Sequence, residues 1–219
     1  MVPTETSFFR DFEVFEVLRQ TVLPELLRRR GHQRRLNLWS AACSSGQEPY
    51  SLALLLQAYF PLLTHWQLKF FASDISEEML ARAREGCYSQ AEVARRLPPH
   101  LLRRYFRPQD DRWYIGEDIR LMVEFHQIDL TQKWPPLPKM DLILMRNVLI
   151  YFNRSTRRKI LKKVRQILRP DGYLFLGATE TPFCLDGGFF PVPMGGAMGY
   201  QLHRPSPDLT STADDKGKF

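Results

Sequence analysis

The amino-acid sequence predicts an α/β protein built around a mostly parallel sheet. Three observations carry that prediction. Apolar runs of strand length alternate with amphipathic helical stretches along most of the chain, the pattern of parallel strands joined by right-handed crossovers. The stretch LWSAACSSGQEPYSLALLL passes from strand, through a turn of small residues, into helix. Near the end, FFPVP and MGYQLHR flank Gly195-Gly196 and read as a closing antiparallel pair.

Each element has its own signal. In SFFRDFEVFEVLRQTVLPELLRRR, Phe8, Phe12, Phe15, Leu18 and Val22 recur at three- and four-residue steps, so the segment reads as one helix with a buried face, ending at Gly31. The basic run RRRGHQRR that closes it has two readings: a solvated helix end favoured by the dipole, or a contact to an acidic partner. Residues 36–41 form the first strand, and residues 48–60 a helix stopped by Pro61. QLKFFASD is the second strand, ending at Asp74. SEEMLARAREG is a helix with Ser76 as its N-cap and acids in its first turn. PHLLRRYF gives a short helix, RWYIGEDIRLMVEFHQID one or two strands around Gly116, and MDLILMRN an apolar strand. RSTRRKILKKVRQILRPDG is an amphipathic helix ended by Pro170-Asp171-Gly172, and YLFLGAT is the strand after it. Residues 205–219 are rich in Ser, Thr, Asp and Lys and read as a disordered tail.

Composition narrows the class. With 219 residues, 44% hydrophobic and 25% charged, the chain has the make-up of a globular domain with a substantial core. The net charge of +7 permits an acidic partner without establishing one. Cys43, Cys87 and Cys184 are far apart in sequence, with no paired spacing of a metal site, which reads as reduced thiols in the cytoplasm and no metal. There is no apolar signal core and no run long enough to span a bilayer.

In parallel sheets, ligands bind beyond the carboxyl ends of the strands. Asp74 ends the second strand, where an acid commonly accepts hydrogen bonds from a ribose diol; the competing reading is an Asx turn before the next helix. The turn AACSSGQE brings backbone close to a ligand but has one glycine and the acid Glu48, which repels a pyrophosphate. S-adenosylmethionine, with a ribose, a sulfonium, an amino group and a carboxylate, fits that turn better than a dinucleotide does.

SFFRD, SAACSSGQEPYSLA, SDIS, RNVLIYF and LRPDGYLFLGATET, in this order, together resemble the CheR family of chemoreceptor protein-glutamate methyltransferases, over residues 4–204. The resemblance implies the class I S-adenosylmethionine-dependent methyltransferase fold. Its seven-stranded sheet is mostly parallel, with the last pair antiparallel, and a small antiparallel subdomain is inserted at 105–125. It implies methyl transfer to glutamate side chains on the cytoplasmic helical bundle of chemoreceptors, with S-adenosyl-L-homocysteine as product, in a monomeric cytoplasmic enzyme that contacts neither nucleic acid nor the bilayer interior. Cofactor contacts then fall to Thr4, Thr6, Arg10, Ala42, Glu48, Asp74, Asp129, Leu130, Asn147 and Val148, and the catalytic positions to Arg10, Arg146 and Tyr151. Departures from the family pattern are Asp129 where an asparagine is usual, Gln47 in place of the first acid of the turn, and Ala178-Thr179-Glu180-Thr181 in place of the usual HSES. The helical N-terminal domain usual in the family is expected to be absent, and FRPQDDRWYIG lacks the glycine pattern of members that dock on a receptor's C-terminal pentapeptide. The alternatives are a nucleic-acid methyltransferase, encouraged by the positive charge, and a non-catalytic cofactor-binding adaptor.

Overall fold

The computed structural model describes residues 5–181 and 187–203. Thr4, Cys184 and the tail lie outside the described residues. The chain opens with α1 (Phe12–Val17), which passes through a π-helical turn (Leu18–Val22) into α2 (Leu23–Arg30). The central units follow: β1 (Arg35–Ala41), α3 (Gln47–Tyr59), a 3-10 turn (Pro61–His65), β2 (Gln67–Asp74) and α4 (Glu77–Glu85). A smaller group comes next: β3 (Cys87–Ser89), α5 (Gln90–Ala94), α6 (Pro99–Tyr105), β4 (Phe106–Gln109), β5 (Arg112–Ile115) and α7 (Glu117–Arg120). The chain then returns to the main sheet through β6 (Glu124–Gln127), β7 (Met140–Met145), a 3-10 turn (Leu149–Tyr151), α8 (Arg154–Ile167), β8 (Leu168–Leu176), β9 (Phe189–Met194) and β10 (Ala197–Leu202).

The main sheet has seven strands in the order β6-β2-β1-β7-β8-β10-β9. Pairings from β6 to β8 are parallel, and β10 is antiparallel to both β8 and β9. The α/β class and the closing antiparallel pair expected from the sequence are therefore present. A second sheet, β3-β5-β4, is antiparallel and takes one of its strands from Cys87–Ser89, ahead of residue 105.

Alternation along the central strands divides the core between the two faces. Leu36 and Leu38 of β1, Leu142 and Leu144 of β7, and Tyr173 and Phe175 of β8 join the cluster containing the N-terminal helices and α3. Trp39 and Ala41, Ile143 and Met145, and Leu174 and Leu176 join the cluster under α8. α8 meets the sheet through Ile160, Leu161 and Val164 and leaves Arg154, Arg158, Lys159, Lys162 and Arg165 exposed.

Three elements differ from the sequence reading. The N-terminal helix starts at Phe12, not at Ser7, because Phe9 and Asp11 adopt positive φ (49° and 53°) that no helix accommodates. Phe8 and Phe9 still anchor the segment: both are buried, and Phe9 N–H donates to the Ser51 hydroxyl at 2.8 Å. Secondly, β8 begins at Leu168 and runs through Pro170-Asp171-Gly172, with an irregularity between the pairs Met140↔Leu168 and Leu142↔Tyr173. A Cβ on Gly172 would lie 2.9 Å from the Asp141 carbonyl oxygen, so this strand passes its neighbour too closely for a side chain. Thirdly, the basic run at the end of α2 is not wholly solvated. Arg30 is buried, and its guanidinium donates to Asp141 Oδ1 at 2.6 Å and to both oxygens of Asp171 at 2.6 and 2.9 Å.

Candidate active site

Three loops at the carboxyl ends of β1, β2 and β7, together with the segment before α1, form the site. β1 and β2 pair through Ala41↔Ser73, and the turn after β1 is tied to β2 by Cys43 N–H donating to the Ser73 carbonyl at 2.9 Å. Ala42, Ser44 and Gly46 have φ of 57°, 49° and 93°. At Gly46 a Cβ would meet the Ala83 methyl at 2.9 Å, so glycine is required there by conformation and by space. Asn147 in the loop after β7 also has positive φ, at 58°. Asparagine tolerates that region better than most residues. Together with Phe9 and Asp11, these residues concentrate left-handed backbone around the site, as expected where a fold holds a loop for function.

The carboxylates occupy two distinct positions. Asp74 Oδ2 accepts from Ser44 N–H at 2.8 Å and Oδ1 from Ser76 N–H at 2.9 Å, while the Ser76 hydroxyl caps α4 by accepting from Met79 N–H at 3.3 Å. Asp74 thus makes the Asx turn and also braces the glycine turn, and each oxygen keeps a further lone pair. Glu48 lies in the first turn of α3, with Oε1 accepting from the Ser40 hydroxyl at 2.8 Å and Oε2 from Arg146 at 3.0 Å.

Arg146 joins the elements. Its side chain is only 1% exposed. One end of the guanidinium donates to Glu48, and the other to the Arg10 carbonyl at 2.9 Å and to the Asp11 carboxylate. The Arg146 Nε is buried without a hydrogen-bond partner among the described residues. The Phe15 ring lies beneath the guanidinium, 6.0 Å away. Arg10 is half-buried, donates to the Glu5 carbonyl at 2.9 Å, and lines a cavity of about 220 Å³ with Thr6, Asp11, Arg95 and Arg96.

The remaining candidate residues complete the inventory. Asp129 Oδ1 accepts from both the amide and the hydroxyl of Thr131 at 2.7 Å, an Asx turn just past β6. Leu130 is buried, and its carbonyl accepts from Lys163 at 2.6 Å and from the Trp134 indole at 3.2 Å. Ala42 and Val148 are half-buried, whereas Tyr151 is 43% exposed at the rim. Burial pushes the Cys43 thiol well up, and the Asp74 and Glu48 carboxylates add to the effect, which disfavours the reactive thiolate.

Two residues here were given no role by the sequence reading. Asp11 pairs with Arg146 across the chain, with no local signal beyond its place after Arg10. Glu180 is buried and accepts from the amides of Asn147, Gly177 and Ile150. Its signal was the acid kept at position 180 in the turn that otherwise departs from HSES.

A parallel sheet whose topology reverses beside β1, with an acid after β2 and a carboxylate–arginine cluster after β1 and β7, defines the class of enzymes that hold a nucleoside-bearing cofactor at the strand ends. Residues 4–190 match the family model "CheR methyltransferase, SAM binding domain". The chain is 45% identical over 185 residues to Chemotaxis protein methyltransferase 1 of Pseudomonas aeruginosa, covering 82% of this chain and 67% of that one. It is 37% identical over 181 residues to the chemotaxis protein methyltransferase of Borreliella burgdorferi, covering 80% and 64%. The chain belongs to the CheR methyltransferase family, and S-adenosylmethionine is its cofactor. It spans about two thirds of the length of the curated relatives it matches. Among solved structures, the PH0226 protein of Pyrococcus horikoshii aligns with a TM-score of 0.47 at 15% identity, covering 90% of this chain and 91% of that one.

The donor set fits that cofactor. Asp74 offers acceptors for a hydroxyl pair, Glu48 an anion for an amino group, and Arg10 a planar cation for a carboxylate.

Proposed function

We propose that this chain is the catalytic domain of a protein-glutamate O-methyltransferase that modifies chemoreceptors. The observation that carries the reading is the Arg146 cluster, which gathers Glu48, Asp11 and the Arg10 backbone beside the loop bearing Tyr151. The relatives' role in chemotaxis supports the substrate class. When bound, S-adenosylmethionine supplies an electrophilic methyl group on a good leaving group. Asp74 would hold the ribose, Glu48 the amino group, Thr6 and Arg10 the carboxylate end, Asp129 and Leu130 the adenine, and Ala42, Asn147 and Val148 the walls.

A glutamate side chain has a reference pKa of about 4.3 and is ionised at neutral pH. No general base is needed to activate it. The tasks left to the protein are orientation and exclusion of water, and orientation alone is worth roughly 7–11 kcal/mol in favourable cases. Arg146 holds Glu48 in place, and Tyr151, exposed at the rim, would orient an incoming protein carboxylate. Burial disfavours the Cys43 thiolate, in keeping with a reaction that uses no protein nucleophile.

Docking without a receptor's C-terminal pentapeptide belongs to the same proposal. In the small sheet, edge strand β4 carries Pro108, which removes one backbone donor from a strand of four residues and disfavours addition of a peptide strand. The test is incubation with methyl-labelled cofactor and either receptor-bearing membranes or total RNA. Base-labile label in receptor protein is expected, whereas label confined to RNA, or absent from both with cofactor still bound, would overturn the assignment. Micromolar binding of receptor tail peptides would overturn the docking reading.

A further inference from the structure

We infer that Glu180 is the positioning residue for the loop that carries Asn147, Val148 and Tyr151, and that it governs methyl transfer without touching either reactant. The turnover part of this inference rests on the proposed function; the structural part does not. Glu180 is 7% exposed and lies just past β8, across a loop from the candidate site. Its Oε2 accepts from Asn147 N–H and from Gly177 N–H, each at 2.7 Å, and its Oε1 accepts from Ile150 N–H at 3.1 Å. One carboxylate therefore satisfies amides at both ends of the segment from Asn147 to the 3-10 turn. A buried carboxylate fully engaged with backbone donors is a strong, charge-assisted tie.

The same geometry explains two otherwise unrelated features. Asn147 has a left-handed backbone at φ 58°, which asparagine tolerates better than most residues and which the Glu180 contact to its amide helps to hold. Gly177 has φ outside the positive range, yet a Cβ there would lie 2.7 Å from Glu180 Oε2, 2.8 Å from Asn147 Nδ2 and 2.9 Å from Asn147 N. Glycine at 177 leaves the space in which carboxylate and loop meet. The Glu180 backbone N–H donates to the Gly177 carbonyl at 2.8 Å, which turns the carboxylate back over its own loop. Asn147 lies directly after Arg146, so a shift of this loop moves the start of the Arg146 cluster and the placement of Tyr151 together.

Two variants test this from opposite sides. Glu180→Gln keeps the shape, but its amide presents an oxygen to only one side, so either Ile150 or the Asn147–Gly177 pair faces an NH2. Gly177→Ala leaves Glu180 intact and drives a methyl group into the contact. The expected result is faster amide hydrogen exchange at Asn147 or Ile150 in both variants, together with weaker cofactor binding by calorimetry. Turnover at saturating cofactor, per cofactor-binding molecule, should fall by about tenfold or more, the scale on which small misplacements act. A purely stabilising role predicts a lower melting temperature with wild-type turnover per cofactor-binding molecule, and that result would overturn the inference. Wild-type exchange rates at Asn147 and Ile150 in both variants would overturn it equally. If the wild-type protein methylates no receptor, the proposed function fails, while exchange and cofactor affinity still decide the role of Glu180.

Discussion

Two buried arginines stand at opposite ends of the same sheet, and their surroundings differ. Arg30, at the amino end, meets Asp141 and both oxygens of Asp171, and Asp141 is itself fully buried. Arg169 lies 3.1 Å from the same Asp141, whose second oxygen accepts from Asn37 N–H at 2.8 Å. Arg146, at the carboxyl end, also meets two acids, but its Nε has no partner among the described residues and its acids come from segments with left-handed backbone or from the mouth of the turn. At the amino end each of the three guanidinium nitrogens of Arg30 is hydrogen-bonded, and the buried atoms there without a hydrogen-bond partner among the described residues, Arg169 Nε and Asn37 Oδ1, belong to its neighbours. At the carboxyl end the unpartnered atom belongs to the central arginine itself, which also holds Glu48.

The protonation chemistry runs the same way. Hydrogen bonding to Asp171 raises the basicity of Arg30, against the opposing effect of burial. Reciprocally, the Arg30 guanidinium holds the Asp171 carboxyl below the usual aspartate range. Tyr173, whose hydroxyl donates to Glu25 at 2.6 Å, is pushed up to about 12, first by burial and then by that carboxylate.

The largest expected effect breaks the amino end. Asp141→Ala leaves Arg30 without its buried partner and should cost about 3–5 kcal/mol of stability, read by urea denaturation. The cofactor affinity of the folded fraction should not change, and a change of tenfold or more would erase the distinction between the two ends. The second sharpens the carboxyl end: Arg146→Lys keeps the charge but cannot span Glu48, Asp11 and the Arg10 carbonyl. Its single-turnover rate should fall by about tenfold to a hundredfold, or about 1.4–2.7 kcal/mol, with less stability lost than in Asp141→Ala. Equal stability losses with wild-type turnover would make both arginines scaffold.

Asp74→Ala should weaken cofactor binding by about 1–3 kcal/mol in calorimetry, since a charged acceptor is lost. Unchanged affinity in a folded variant would return Asp74 to its Asx turn alone. The smallest effect is in pH dependence. Because the Asp171 carboxyl is depressed in the folded state, its contribution is present above the unfolded value of about 3.9 and is lost as pH falls through the folded value. Asp171→Asn should therefore be less stable than wild type near neutrality and converge with it in acid. Parallel stability curves down to the acid limb would exclude Asp171 as the group responsible.

Strand-and-helix alternation, the apolar faces of β1, β7 and α8, the Ser76 cap and the Gly195-Gly196 turn were legible in the sequence, because periodicity and turn chemistry are local. So were Asp74 as the acid ending β2 and Glu48 as the acid opening α3, and the recurring motifs pointed to the family. The start of the N-terminal helix was not legible: its apolar spacing continues through Phe8, yet the backbone turns at Phe9 and Asp11 where Phe8 and Phe9 are buried in the core. Nor was the fate of Arg30. A basic run at a helix end looks solvated until the fold brings Asp141 and Asp171, more than a hundred residues away in sequence, against it.

By itself, the sequence determined the layers, the strand ends where a ligand belongs and the residue types available there, since each follows from neighbours a few positions apart. Only the tertiary structure decided which acid each arginine meets, that Asp11 joins the site, and that Glu180 clasps the Asn147 loop. Those pairings depend on crossovers and on the order β2-β1-β7-β8. A buried charge must find its partner wherever the chain delivers one, and a sequence pattern has no term for that distance.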